Sequence, residues 1–239
     1  MTEWFERWFG EEYLNVYLHR DEEEAERLVA LLAARGWIGK GERVLDLACG
    51  GGRHAEALRR RGVRVTGLDL SGLLLHSALR RGGCCYVRGD MRSLPFADGA
   101  FDVVLNLFTS FGYFVKDGEH QRVLRAVTRV LPRGGRFVLD YLNAPAVRTT
   151  LVPHDERAFG DAVVVQDRSI SPDGRFVEKS IHLGDHGRTF TERVRLYERG
   201  ELERMVREVG LRPVEALGDY DGGPHGPGSP RVILMAEKP

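Results

Sequence analysis

The sequence predicts an α/β fold, a mostly parallel seven-stranded sheet interrupted by an antiparallel β meander. Three observations carry that expectation. Apolar runs at 44–47, 101–108 and 136–140 lack strict polar alternation, as strands buried on both faces require. Helical patterns at 53–61 and 117–131 alternate with them, the order of strands joined by helical crossovers. After Pro145 the rhythm changes: 162–168, 175–183 and 189–197 read as strands, parted by Pro172-Asp173-Gly174 and a turn at 184–187.

The chain of 239 residues suits one domain with an insertion. We divide it into an N-terminal helical lid (1–40), a core (41–143), the inserted β segment (144–198) and a helix with a strand pair completing the core (199–239). Lys+Arg and Asp+Glu both number 35, so no global field draws in nucleic acid or membrane. Arg59-Arg60-Arg61 and Arg80-Arg81 read as solvated helix ends. The three cysteines, Cys49 and the adjacent Cys84-Cys85, show no C-x-x-C spacing, so neither a disulfide framework nor a zinc site is expected. Without a signal peptide or a bilayer-length apolar run, the expectation is a cytoplasmic protein, monomer or homodimer.

Residues 2–20 carry Trp4, Phe5, Trp8, Phe9, Tyr13 and Tyr17 on a helical stretch broken near Gly10. They either pack on the main body or cover a site. Asp21 is an N-cap candidate with Glu24 in the capping-box position, and Gly36 ends that helix. The first strand, 44–47, breaks through Gly50-Gly51-Gly52 into a helix from Arg53. Such an elbow brings bare N–H groups and a positive helix end to one point. Gly50-Gly51-Gly52-Arg53-His54-Ala55 also fits G-x-G-x-x-A, by itself weak evidence for a dinucleotide site.

The second strand, 63–69, ends on Asp69, placed either to accept from ribose hydroxyls or to cap a helix, a task Ser71 also suits. Strand three is 85–88. Strand four, 101–108, leads into Thr109-Ser110-Phe111-Gly112-Tyr113-Phe114 at its carboxyl end, where open α/β sheets bind ligands. Strand five, 136–140, leads to Asn143. Asp140 and Asn143 either line a pocket or satisfy loop backbone. A helix over 201–209 and strands at 211–217 and 231–236 follow. The glycine–proline loop between them, 218–230, makes Tyr220, His225 and Arg231 pocket candidates. His182 and His186 straddle a turn without a third ligand, so no metal is expected.

Asp46-x-Ala48-x-Gly50-x-Gly52 resembles the first motif of class I S-adenosylmethionine-dependent methyltransferases, [DE]-x-G-x-G-x-G. Ala48 departs at the first glycine, which suggests a need for a small residue rather than a positive φ. Gly89-Asp90-Met91-Arg92-Ser93-Leu94-Pro95-Phe96 resembles that family's G-D-[MA]-x-x-L-P-F segment, and Leu131-Pro132-Arg133-Gly134-Gly135 its L-x-P-G-G turn.

The resemblance implies a Rossmann-like doubly wound core, with S-adenosylmethionine as cofactor and a small-molecule acceptor. It assigns the cofactor to Asp46, Ala48, Gly50, Gly52, Asp69 (ribose), Leu70 (adenine face), Asp90 (adenine amino group), Met91 and Leu107, with Tyr17 from the lid. Tyr13, Phe111, Tyr113, Tyr220 and His225 are the acceptor-pocket candidates; no catalytic residue is assigned. The absence of [DN]-P-P-[YF] after strand four argues against a flipped base as substrate. A non-catalytic S-adenosylmethionine binder and a NAD(P)-dependent oxidoreductase are the alternatives. The latter leaves Asp46, a carboxylate beneath the loop, unexplained.

Overall fold

The computed structural model describes residues 3–16, 22–159, 162–184 and 187–239. Five parallel strands come first: β1 (Arg43–Leu47), β2 (Arg64–Asp69), β3 (Cys85–Arg88), β4 (Val103–Asn106) and β5 (Arg136–Leu142). A separate antiparallel sheet follows, β6 (His154–Phe159) to β7 (Ala162–Ile170) to β8 (Phe176–Leu183) to β9 (Arg188–Arg195). β10 (Arg212–Leu217) and β11 (Arg231–Glu237) then return to the first sheet, whose order is β10-β11-β5-β4-β1-β2-β3. β11 runs antiparallel to both of its neighbours.

The expected seven strands are therefore present, with β1 and β4 central. Val44, Leu45, Leu47 and all of Val103–Asn106 are buried, which explains the unbroken apolar runs. β6 and α7 (Ala144–Thr150) went unread in the sequence, whereas α5 (Gly72–Arg81) lies between the cap and the basic end expected of a helix, Ser71 and Arg80-Arg81, counting α-helices in chain order. Ser71 does cap α5, its hydroxyl accepting from the Leu74 N–H at 3.2 Å. α8 (Arg199–Glu208) starts earlier than expected because Glu198 and Glu201 close a capping box.

At the amino end lie α1 (Trp4–Trp8), α2 (Glu11–Val16) and α3 (Glu22–Ala34). The expected cap Asp21, and also Tyr17 and His186, lie outside the described residues. α1 is wedged between the two sheets. Phe5 joins the main core, while Trp8 packs with Val16, Val164 and Ile181 against the second sheet. Trp8 Nε1 donates to Glu192 on β9 at 2.6 Å.

β9 also meets the turn after β4. Gly112 sits where a Cβ would collide with the Tyr141 hydroxyl and Val194, so only glycine lets the sheets approach this closely. Behind that turn, His120 of α6 (Asp117–Val130) is fully buried against Phe111 and Phe114, and burial lowers its pKa to about 4. The imidazole is therefore a neutral packing element. Among the described residues no helix is long and apolar enough to cross a membrane.

Candidate functional site

A cavity of about 750 Å³ opens at the carboxyl ends of β1, β2 and β4, within the size range of small-molecule sites. Its floor is the elbow after β1. Ala48 has φ +60°, Gly50 +54° and Gly52 +78°. The expectation that Ala48 needs only smallness is thus corrected: the position is left-handed, and alanine occupies it at a steric cost. Removing the Cβ relieves about 1–2 kcal/mol of left-handed strain, partly offset by the extra freedom of an unfolded glycine. Ala48→Gly is therefore expected to raise the urea midpoint slightly. A lowered midpoint would mean that this backbone stores no strain.

Gly50 donates its N–H to Asp69 Oδ2 at 2.8 Å, and Ser71 donates its own to Oδ1 at 2.8 Å. These two bonds pin the elbow to the end of β2. Asp69 borders the cavity but is 9% exposed, and burial raises its pKa against the pull of those donors. Gly52 does not reach the cavity. A Cβ there would lie 2.6 Å from the Tyr86 hydroxyl and 2.9 Å from Ala78 Cβ, so this glycine serves helix–sheet packing.

Asp46 is not a lining residue either. It lies one layer below, 1% exposed, with Oδ2 lacking any hydrogen-bond donor. Desolvation, reinforced by the charge of Asp69, lifts its pKa to about 7.

Leu70, Asp90 and Met91 line one end. Arg92 grips the Asp90 carboxylate through its own N–H, Nε and Nη2, at 2.6–3.0 Å. Burial opposes ionisation there, but the Arg92 bonds prevail and hold the carboxyl below its usual range. Most of its acceptor capacity is spent inside the protein.

The opposite end is aromatic. Phe5, Phe9, Tyr13, Phe108, Tyr113 and Phe114 line it, together with Glu6. Trp4 Nε1 donates to the Tyr113 carbonyl at 3.2 Å, and Ser71 Oγ donates to the Phe9 carbonyl at 2.7 Å, so α1 is fastened on both sides.

Leu107 also lines the cavity, and the two residues after it are left-handed without being glycine: Phe108 at φ +59° and Thr109 at +67°. That conformation is costly for bulky and β-branched side chains and needs outside support. Asp140 supplies it. Its Oδ2 accepts from the Phe108 N–H at 2.9 Å and its carbonyl from the Thr109 N–H at 3.0 Å. Arg231 Nε donates to Asp140 Oδ1 at 2.8 Å, and Nη2 to Thr109 Oγ1 at 2.9 Å. The Tyr220 hydroxyl completes the set on Asp140 at 2.8 Å. On the cavity side, the Arg53 guanidinium lies 4.2 Å over the Phe108 ring and pairs with Glu24 at 2.9 Å.

Of the sequence candidates, the fold brings together Ala48, Gly50, Asp69, Leu70, Asp90, Met91, Leu107, Tyr13 and Tyr113. Phe111 is corrected to core, fully buried behind the turn. Tyr220 and His225 are corrected to the supporting layer: the glycine–proline loop folds away from the cavity. Asn143 Nδ2 holds that loop through the carbonyls of Gly226, Pro227 and Ser229, and His225 Nε2 sits 3.3 Å from Asn143 Oδ1. Asp140 and Asn143 thus satisfy loop backbone. Phe5, Glu6, Phe9, Arg53 and Phe108 were not named as pocket or cofactor residues. Only the aromatic richness of residues 2–20 hinted at the first three. Among the described residues no group of three or more His, Cys, Asp or Glu is arranged to hold a metal ion.

A family model described as a methyltransferase domain matches residues 44–135, from β1 to the turn before β5. That segment is thus a methyltransferase domain, set in a fold shared with solved S-adenosylmethionine-dependent methyltransferases. A demethylmenaquinone methyltransferase of Thermobifida fusca is 45% identical over 106 residues, 41% of this chain and 43% of that protein. An uncharacterized methyltransferase of Synechocystis sp. is 38% identical over 111 residues, 46% of this chain and 51% of that one. The matched segment thus spans about half the length of such curated relatives, or less. Among solved structures, a sugar N-methyltransferase from Streptoalloteichus sp. superposes with TM-score 0.71 at 25% identity, covering 96% of this chain and 93% of that one. The CcbJ methyltransferase from Streptomyces caelestis superposes at 0.78 and 21% identity, covering 90% and 89%. The latter likeness speaks to fold alone: the methyltransferase domain, its two last strands and the added antiparallel sheet recur together.

Proposed function

We propose that this chain transfers a methyl group from S-adenosylmethionine to a nitrogen or oxygen atom of a small-molecule acceptor by in-line displacement. The observation that carries the reading is the stacking of two acids at one elbow. Asp69 faces the cavity, and Asp46, its Oδ2 without a donor, lies directly beneath. A buried carboxylate under the loop repels a pyrophosphate and favours a cationic sulfonium, so the residues present fit this cofactor. When bound, it supplies a methyl carbon on a positively charged sulfur that departs without acid assistance.

The remaining work belongs to the chain: bind, align and exclude water. Asp69 is positioned for a ribose, Leu70 and Met91 for the faces of an adenine, and Ala48, Gly50 and Leu107 for the amino-acid end. Phe5, Phe9, Tyr13, Phe108 and Tyr113 enclose the space beyond. Alignment of this kind is worth about 7–11 kcal/mol of barrier without a proton-transfer residue. Residues 3–16 act as the lid in this reading.

S-adenosylmethionine and S-adenosylhomocysteine are expected to raise the melting temperature in proportion to ligand concentration, and NAD and NADP are not. Asp69→Ala is expected to weaken S-adenosylhomocysteine by about tenfold or more in calorimetry, the scale of a lost charged hydrogen bond. Because Asp69 also holds Gly50 and Ser71, its effect on stability is read separately from the unliganded urea midpoint. Stabilisation by NAD alone, or unchanged affinity in the variant, would sink the respective assignment.

A further inference from the structure

The lining of the cavity is electrically divided. Among the described residues its three arginines are each engaged: Arg81 with Glu22 and the Gly51 carbonyl and Arg88 with the Leu70 carbonyl on the elbow and adenine side, and Arg53 with Glu24 and, at the border of the aromatic end, over the Phe108 ring. The α1 side offers the opposite: aromatic faces and one carboxylate. Tyr113 is the hub, its ring 4.9 Å from Trp4, 5.6 Å from Phe9 and 6.3 Å from Phe5, while Tyr13 meets Phe9 edge-on at 4.7 Å. Glu6 lines the same end, and its side chain makes no ion pair or hydrogen bond among the described residues. Ring faces carry negative potential and attract cations, most strongly where water is displaced. An anionic acceptor would meet those faces and Glu6 while every arginine among the described lining residues is already engaged.

From this juxtaposition we infer that the acceptor is an amine, captured as its alkylammonium between the aromatic faces and Glu6. The inference rests on the methyl-transfer reading above. The bound ammonium gives one proton to solvent at the cavity mouth, where Glu6 is exposed. The freed lone pair forms the N–CH3 bond as the C–S bond breaks, its electron pair leaving with sulfur as a neutral thioether. Positive charge thus returns to the nitrogen, and the product is again an ammonium. Glu6 is a positioning residue here, a counter-charge present before and after transfer.

The test compares choline with its uncharged isostere 3,3-dimethylbutan-1-ol, titrated calorimetrically into the full chain saturated with S-adenosylhomocysteine. Choline is expected to bind about tenfold tighter or more, the scale of a desolvated cation–π contact. Glu6→Gln, an exposed position where folding is not at stake, is expected to erode that preference while leaving the alcohol unchanged; Tyr113→Leu is expected to erode it as well. Equal affinity for the two probes, binding of neither, or a choline preference untouched by both variants overturns the inference with the methyl-transfer reading intact. Failure of S-adenosylhomocysteine to bind removes that reading, and this inference with it.

Discussion

Arg231→Leu is expected to lower stability by about 3–5 kcal/mol, the range for removing one partner of a buried ion pair. Asp140 is fully buried, and among the described residues Arg231 supplies its only cationic donor. Without the guanidinium the carboxylate keeps, among the described residues, only the Tyr220 hydroxyl and the Phe108 N–H. The change also frees Thr109 Oγ1, so the left-handed pair Phe108–Thr109 loses its brace on the β11 side. Two readouts are therefore expected to move together: the urea midpoint, and the affinity for S-adenosylhomocysteine, since Leu107 and Phe108 line the cavity. Arg231→Leu combined with Asp140→Leu is expected to recover much of the stability, because an apolar pair of similar volume leaves no orphaned charge, yet not the ligand affinity. A single variant within 1 kcal/mol of the parent, on the order of a surface substitution, would show that the pair is not structural.

The second large effect depends on pH. Asp46 titrates at about 7 in the folded chain against an ordinary carboxyl value of 3.8. A raised folded pKa means that the folded state binds the proton more tightly than the unfolded state. Its contribution is fully present below the unfolded value and is lost as pH rises through 7. Asp46→Asn abolishes this dependence. The stability advantage of the variant over the parent is therefore expected to grow between pH 5 and pH 8, reaching a few kcal/mol by linkage at about 1.4 kcal/mol per pH unit. Saturating S-adenosylmethionine, whose sulfonium favours the ionised acid, is expected to shrink that gap, whereas a neutral thioether analogue is not. A difference between the two proteins that stays flat with pH would place the Asp46 carboxyl in a far more polar setting.

Local chemistry explains what could be read from sequence. The core strands announced themselves because burial on both faces demands unbroken apolar runs. The elbow did so because glycines and flanking acids are close in sequence, and Asp69 followed from the strand that ends on it. β6 was hidden because His154-Asp155-Glu156-Arg157 is polar throughout, its pairing to β7 rather than its own composition making it a strand. Tyr220 and His225 misled because a glycine–proline loop at a sheet's carboxyl edge points equally well into a cavity or onto a neighbour. Asn143, 82 positions from His225, decides which. Phe108 is legible only in three dimensions: its role comes from a positive φ held by residues distant in sequence.

The position of β11 has a consequence for assembly. Until that late strand is made and threaded between β5 and β10, β5 presents a bare hydrogen-bonding edge and Asp140 lacks its counter-ion. Pairing across such sequence separation is slow to nucleate, and an uncovered apolar edge recruits other chains. Docking of β11 would close that edge, and the Arg231–Asp140 pair that braces the wall of the ligand cavity would be the latch that holds it.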